Sequence, residues 1–204
     1  MSQSRAARAA QRPLEFRSLS ALAVVRAGFR RRDRTIVAPF DLRLAAGESA
    51  ALAGPDPYAA SVLARMCAAI VKPTSGTIYV GDFDARLQPV HAKRLVGFVD
   101  RAGFRGDRHD FATCVEFRRL AWGLPREHAA ERIAGLREAF GEDRYALALA
   151  LALLPQVALL VLDQPPPALV ARARRAAPQV ACLETRVASA PLELPAHAVE
   201  IGLR

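Results

Sequence analysis

Residues 49 to 53, Ser-Ala-Ala-Leu-Ala, read as a buried strand running into Gly54, and Ser61 to Ile70 has the apolar spacing of a helix. One loop joins them, Gly54-Pro55-Asp56-Pro57-Tyr58-Ala59-Ala60-Ser61. A strand that empties through a glycine loop into a helix restricts the fold sharply, and the pattern recurs: apolar strands at 97–101, 158–163 and 181–186 alternate with helical segments. Such alternation predicts an α/β class with a mainly parallel sheet covered on both faces. Ahead of the loop, Thr35 to Leu44 alternates as a strand and Gly47-Glu48 makes a turn, so an antiparallel β portion comes first.

The loop keeps the two ends of the pattern G-x-x-x-x-G-K-[ST], in which backbone N–H groups wrap phosphates, a lysine neutralises them and a hydroxyl holds magnesium. Gly54 and Ser61 stand at those ends. Ala59 replaces the second glycine and Ala60 the lysine, Pro57 has no N–H, and Asp56 adds negative charge. A charge-assisted hydrogen bond is worth roughly 1.5–3 kcal/mol, so loss of the lysine alone lowers phosphate affinity by about one to two orders of magnitude. Taken by itself, the segment reads equally as an ordinary turn before a helix.

The flanks decide between these readings. The succession of Gly47-Glu48, the strand, the loop, the helix and Lys72-Pro73-Thr74-Ser75-Gly76-Thr77-Ile78-Tyr79-Val80-Gly81 resembles the nucleotide-binding subunit of ABC transporters, followed along nearly the whole chain. The resemblance implies a three-layer P-loop NTPase-like core with ATP and magnesium as cofactors. Asp163, ending the apolar strand Ala158 to Leu162, stands on the magnesium-coordinating aspartate, and Gln164 on the glutamate that polarises the attacking water. A neutral amide holds water but cannot accept its proton, and general-base help is worth about a hundredfold to ten-thousandfold. Ser61 and Asp163 are thus the magnesium candidates that remain.

Other positions are carried over one at a time. Phe29 stands on the aromatic that stacks on adenine, although it could equally pack under the neighbouring Arg-rich turn. Arg101 occupies the place of the glutamine that links nucleotide to membrane domain, and a guanidinium cannot ligate magnesium. The signature loop falls on Ala139-Phe140-Gly141-Glu142-Asp143, whose carboxylates would face a γ-phosphate. Arg186 stands on the switch histidine, and a loop ends in Val170 where the family has aspartate. Lysine, glutamine, signature serine, glutamate and histidine all act on one γ-phosphate in the family, and none is present. The resemblance therefore implies a degenerate, non-hydrolysing ATP-binding subunit, a regulatory or scaffold partner in a membrane transport complex. Its partners would be a membrane-embedded subunit and an intact ATP-binding relative. A slow, active ATPase is the competing reading.

At 204 residues and 52% hydrophobic, the chain can bury one core. A basic tail over residues 1–15 and a single domain over 16–204 are expected, with a shortened helical insertion at about 113–145. Tyr145 to Leu162 is apolar enough to suggest a membrane span, but Pro155 and Gln156 interrupt it, so a helix to about Leu154 and then a strand fit better. Met1 to Pro13 has no uninterrupted apolar stretch, which argues against a signal sequence and for a cytoplasmic location, peripheral at the inner face of the membrane. Cys67, Cys114 and Cys182 suit buried thiols in a reducing compartment, and the histidines show no metal-ligand spacing.

A net charge of +9 raises nucleic acid as a partner. Arg5, Arg8 and Arg12 could share a helix face, and Arg26, Arg30, Arg31, Arg32 and Arg34 cluster before the first family-like strand. No aromatics interleave with them, so a solvated tail and hairpin, or contact with an anionic membrane surface, are the favoured accounts.

Overall fold

The computed structural model describes residues 20–187 and the backbone of Ile201–Gly202. The basic tail, with Arg5, Arg8 and Arg12, lies outside the described residues.

The described residues open with two strands, β1 (Leu22–Arg31) and β2 (Arg34–Leu44), paired as an antiparallel hairpin with Arg31 opposite Arg34. The cluster of arginines before the first expected strand is therefore one strand and the tip of this hairpin. The sheet is completed by β4 (Ser75–Val80) against β1 and by the short β5 (Phe83–Asp84). Gly76 sits at φ +67°, and a Cβ there would fall 2.1 Å from the Arg26 carbonyl oxygen, so the close approach of β4 to the irregular stretch of β1 needs glycine.

The second sheet is parallel, in the order β6 (Val96–Val99), β7 (Leu159–Asp163), β8 (Ala181–Val187), β3 (Ser49–Gly54) and β9 (Ile201–Gly202). Its strands are apolar on both faces, and successive residues feed different cores. Leu159 and Val161 of β7 and Leu183 of β8 join a cluster with helix α1 (Pro57–Cys67) and the antiparallel sheet. Leu160, Leu162 and Cys182 join a second cluster on the opposite face. That cluster includes Leu149 and Leu153 of a later helix, α5 (Arg144–Leu153), and Leu169 and Ala173 of α6 (Pro167–Ala176). The result is a three-layer α/β arrangement, as the alternation of strand and helix predicts.

The apolar run from Tyr145 resolves into α5 followed by β7, which is the helix-then-strand reading. Among the described residues, no helix is long and apolar enough to cross a membrane. The short α2 (Pro89–Arg94) leads into β6, and between β6 and α5 lie α3 (Arg108–Trp122) and α4 (Arg126–Phe140). Asp107 and Asp110 form a capping box on α3, and Gly123 ends it at φ 67°. This helical stretch begins at Arg108, ahead of the expected boundary, because the cap at Asp107 supplies a start signal. The arm is lightly packed: within α3 only Phe111 is buried. Arg132 secures α4 to α5 by donating through Nε and an Nη to the Leu153 carbonyl at 3.2 and 3.0 Å.

Cys67 and Cys182 are buried, and burial pushes both thiols up to about 12. Cys114 is half-buried. Native protein mixed with a thiol-specific chromophore near pH 7.5 should therefore label at Cys114 alone on the minute scale, with Cys67 and Cys182 reacting only after denaturant is added. Rapid labelling of all three without denaturant would contradict this packing.

Candidate functional site

The loop after β3 does not form an open cradle. Helix α1 starts at Pro57, ahead of Ser61 where the helical apolar spacing begins, with Asp56 as its N-cap and proline in its first turn. Asp56 carries extended backbone, and its Oδ1 accepts from the Ala59 N–H at 2.8 Å while its carbonyl accepts from Ala60 N–H at 3.0 Å. Two of the donors that would wrap a phosphate, the Ala59 and Ala60 N–H groups, are thus engaged within the chain, and Pro57 has none to offer. Ala59 and Ala60 are 2% and 0% exposed, so neither faces a ligand. Gly54 remains obligatory for a different reason: a Cβ would lie 2.5 Å from the Ala60 nitrogen.

Ser61, Asp163 and Gln164 do meet, across more than a hundred residues of sequence. Ser61 Oγ donates to Asp163 Oδ1 at 3.1 Å, and the same carboxylate oxygen accepts from Thr185 Oγ1 at 3.5 Å. The Gln164 amide nitrogen donates towards three acceptors, the Pro57 carbonyl at 3.0 Å, Ser61 Oγ at 3.1 Å and Asp163 Oδ1 at 3.2 Å. The reverse amide orientation would set a carbonyl oxygen against a carboxylate and another carbonyl, so the surroundings fix the nitrogen here. Gln164 holds this position with φ +48°, a left-handed conformation uncommon for a non-glycine residue.

These residues do not fit a magnesium ion. An amide N–H cannot ligate a cation, and it lies within hydrogen-bond distance of both candidate ligand oxygens. Asp163 is 1% exposed, and its Oδ1 already accepts from Ser61, Thr185 and Gln164, so a cation at that oxygen would have to displace those bonds.

The remaining expected positions are dispersed. Phe29 packs against the first core and pairs with Val37; it does not line the cleft described below. Val170 is buried in α6, not in a loop, because Pro167 starts that helix early. The 139–143 segment is the end of α4 and the cap of α5. Phe140 is buried, Glu142 is paired with Arg137, and Asp143 Oδ1 accepts from Tyr145 and Ala146 N–H at 2.9 and 3.0 Å while Oδ2 meets Arg172 at 3.1 Å. Both carboxylates expected to face a phosphate are thus engaged inside the chain. Arg186 donates through Nε and an Nη to Glu184 Oε2 at 3.1 and 2.9 Å, and Glu184 is 1% exposed.

The Ala146 N–H above all, then Arg172, holds the Asp143 carboxyl below its ordinary value of 3.8, against an opposing effect of burial. A depressed carboxyl stabilises the fold fully above its unfolded value and loses that contribution as the pH falls through its folded value. Asp143→Ala should therefore lower the unfolding free energy by about 1 kcal/mol at pH 7, the usual worth of an N-cap. The deficit should shrink on acidification below the ordinary carboxylate range, as followed by urea denaturation at several pH values.

Next to Ser61 opens a cleft of about 730 Å³, lined by Arg31, Arg32, Arg34, Arg65 and Arg101 together with Asp56, Tyr58, Pro57 and Ile36. An Nη of Arg31 donates to the Tyr58 hydroxyl at 3.3 Å, Arg34 stands 4.0 Å from Asp56, and Arg65 pairs with Asp100 at 3.3 Å. Arg101 was expected here as a displaced glutamine. Tyr58, Arg65 and the hairpin arginines were not expected here; the one local hint was the run of arginines at 30–34.

A parallel sheet with a glycine-ended strand entering a helix, and an aspartate at the end of β7, one strand beyond β8, reaching that helix's serine, defines a P-loop NTPase-type domain. The chain belongs to the nucleotide-binding domains of the ABC transporter family. It is similar to sulfate/thiosulfate import ATP-binding proteins CysA: 32% identical over 151 residues to that of Nephroselmis olivacea and 34% over 159 residues to that of Mesorhizobium japonicum. Each match covers 66% of this chain but only 43% and 44% of the relative, so the chain spans less than half the length of these relatives. Among solved structures it resembles an ATP-binding subunit of an ABC transporter, with a TM-score of 0.69 and 15% identity over 83% of this chain and 80% of that one. It also resembles cbiO1 from Clostridium perfringens, with a TM-score of 0.63 and 18% identity over 82% and 78% of the two chains. No family model matches the chain.

Proposed function

We propose that this chain is a non-hydrolysing ABC-type subunit, a regulatory or scaffold partner in a membrane transport complex, peripheral at the cytoplasmic face. The observation that carries this reading is the Gln164 amide bonded to Ser61, Asp163 and the Pro57 carbonyl. It puts an N–H donor where metal-assisted phosphoryl transfer requires a cation and a base. Asp56 supports it independently by engaging the Ala59 and Ala60 N–H groups.

Partnership with a membrane subunit is supported by exposed apolar side chains near α2 and on α3. Leu87, Val90, Phe117 and Leu120 are 71%, 63%, 69% and 62% exposed. The two helices are tied together where Trp122 Nε1 donates to the Arg94 carbonyl at 3.0 Å. Contact of remaining basic residues with anionic lipid would add to that docking. Nucleic acid is less well supported, because three of the hairpin arginines line a cleft and do not spread across a flat face.

In the family, subunits pair head to tail around ATP, so this chain would weaken both sites of a pair. Isolation of the native complex with its membrane and ATP-binding partners, followed by ATP turnover with and without this chain, tests the reading. Turnover that does not rise when the chain is included supports it, and turnover that rises to that of a pair of intact subunits contradicts it.

A further inference from the structure

At the other end of the parallel sheet from Ser61, a second cavity of about 720 Å³ opens where β3 and β8 begin. Ser49 and Gly54 bound β3, so the two ends lie about 17 Å apart along the strand. The walls take Leu42 and Leu44 from the end of β2, Val180 from just before β8, and Arg174 from α6; Arg43 and Glu48 join them from either side of the turn at 45–47. Leu42 and Leu44 belong to the first core and Val180 packs on the second, which sets the cavity on the seam between the two. Gly47, at φ +77°, holds the turn close to the loop before β8, since a Cβ there would lie 2.9 Å from the Pro178 carbonyl oxygen.

The charges around this cavity are unevenly matched. Glu48 Oε2 accepts from the Ala45 N–H at 2.8 Å and so closes its own turn. Among the described residues neither Arg43 nor Arg174 has a carboxylate within ion-pair distance. Arg174 is half-buried, and its Nε is enclosed with no hydrogen-bond partner. Its neighbour is the Cys182 thiol, a weak acceptor, which burial raises and this guanidinium pulls back down. A half-buried cation without a counter-charge carries a desolvation cost that an anion would offset. We infer that this cavity binds a small organic carboxylate, with its head on Arg174 and Arg43 and its apolar body against Leu42, Leu44 and Val180. The volume lies within the range of small-molecule sites, and apolar walls with a few charged groups are their usual make-up. A guanidinium is a planar fork matched to the two oxygens of a carboxylate. An inorganic anion would leave the apolar walls facing water, and an uncharged ligand would leave the guanidiniums unmatched. None of these residues belongs to the Ser61–Asp163–Gln164 cluster, so the inference stands apart from the proposed function.

Calorimetric titration of the full chain with sodium octanoate and with sodium hydrocinnamate tests the proposal. Octanol and hydrocinnamyl alcohol supply the same bodies without the charge, and sodium acetate supplies the head alone. Saturable one-to-one binding of at least one of the two longer carboxylates is expected, tighter by about tenfold or more than its alcohol and than acetate. Arg174→Met keeps much of the side chain's stem and removes its charge, and should weaken that binding by about tenfold or more. Arg175→Met removes the same charge one residue along α6, at an exposed position outside the lining, and should leave affinity within about twofold. Thermal denaturation of both variants verifies that the fold is kept. Arg43→Met, at an exposed position, carries the same comparison should Arg174→Met unfold, with an expected loss of about threefold or more.

Carboxylate binding with those losses supports the proposal. No saturable binding of either longer carboxylate, an alcohol as tight as its carboxylate, or acetate as tight as both would overturn it. So would equal effects of the α6 variants, or of Arg43→Met and Arg175→Met where the former stands in. Release of phosphate from Mg-ATP would count against the proposed function alone and leaves the outcome of these titrations as it is.

Discussion

Arg186→Ala is expected to lower the unfolding free energy by about 3 kcal/mol, the cost of breaking a buried ion pair from one side. Glu184 lies in β8 between β3 and β7, with its side chain 2% exposed, and among the described residues both hydrogen bonds to its carboxylate come from one neighbour two residues along the strand, Arg186. Alanine at 186 would strand that carboxylate in the sheet with its main counter-charge gone. Removing both charges together, as Glu184→Met with Arg186→Met, should recover most of the loss, because well-packed apolar groups often replace a buried pair without penalty. Guanidinium denaturation of the two variants gives both numbers. A single variant as stable as the parent would show that Arg186 is free to serve a ligand, as the family's switch residue does, and is not committed to the sheet.

Gln164→Glu should destabilise the chain by a similar amount, about 3 kcal/mol at neutral pH, although it restores the residue type that the resemblance calls for. The substitution turns a donor to three acceptors into a fourth acceptor and sets its charge about one hydrogen-bond length from Asp163. The introduced carboxyl would be protonated more readily in the folded chain than in the unfolded one. Its folded value is therefore raised, so the penalty is whole above that value and is relieved as the pH falls towards the unfolded value. Denaturation midpoints measured across the acidic range should show the variant converging on the parent on acidification. A variant as stable as the parent at pH 7 would mean that the amide's three bonds are not formed.

The sheets and the main helices were legible because their signals are local. The apolar runs of β3, β7 and β8 and the Ala-Leu repeat of α5 each carry their own period within a dozen residues. The true start of α1 was also written locally, as an aspartate cap with proline in the first turn, but the same two residues read as defects of a phosphate loop when matched to that pattern. Other features were out of reach. Gln164 reaches Ser61 across 103 positions, and the bond depends on a left-handed backbone that no residue type there announces. Arg65 and Arg101 join the hairpin arginines only through the fold, so a cluster that looked like a solvated turn became the wall of a cleft. The carboxylates at 142 and 143 looked available for the same reason: their partners Arg137 and Arg172 lie on α4 and α6, and residue types alone do not reveal who is paired.

The central claim is that Ser61, Asp163 and Gln164 form a closed, metal-free cluster. Release of inorganic phosphate from Mg-ATP by the purified chain, compared with its Asp163→Asn variant, tests this most directly. Release by the parent should be indistinguishable from that of the variant and from buffer. Magnesium-dependent release that Asp163→Asn abolishes would contradict the account.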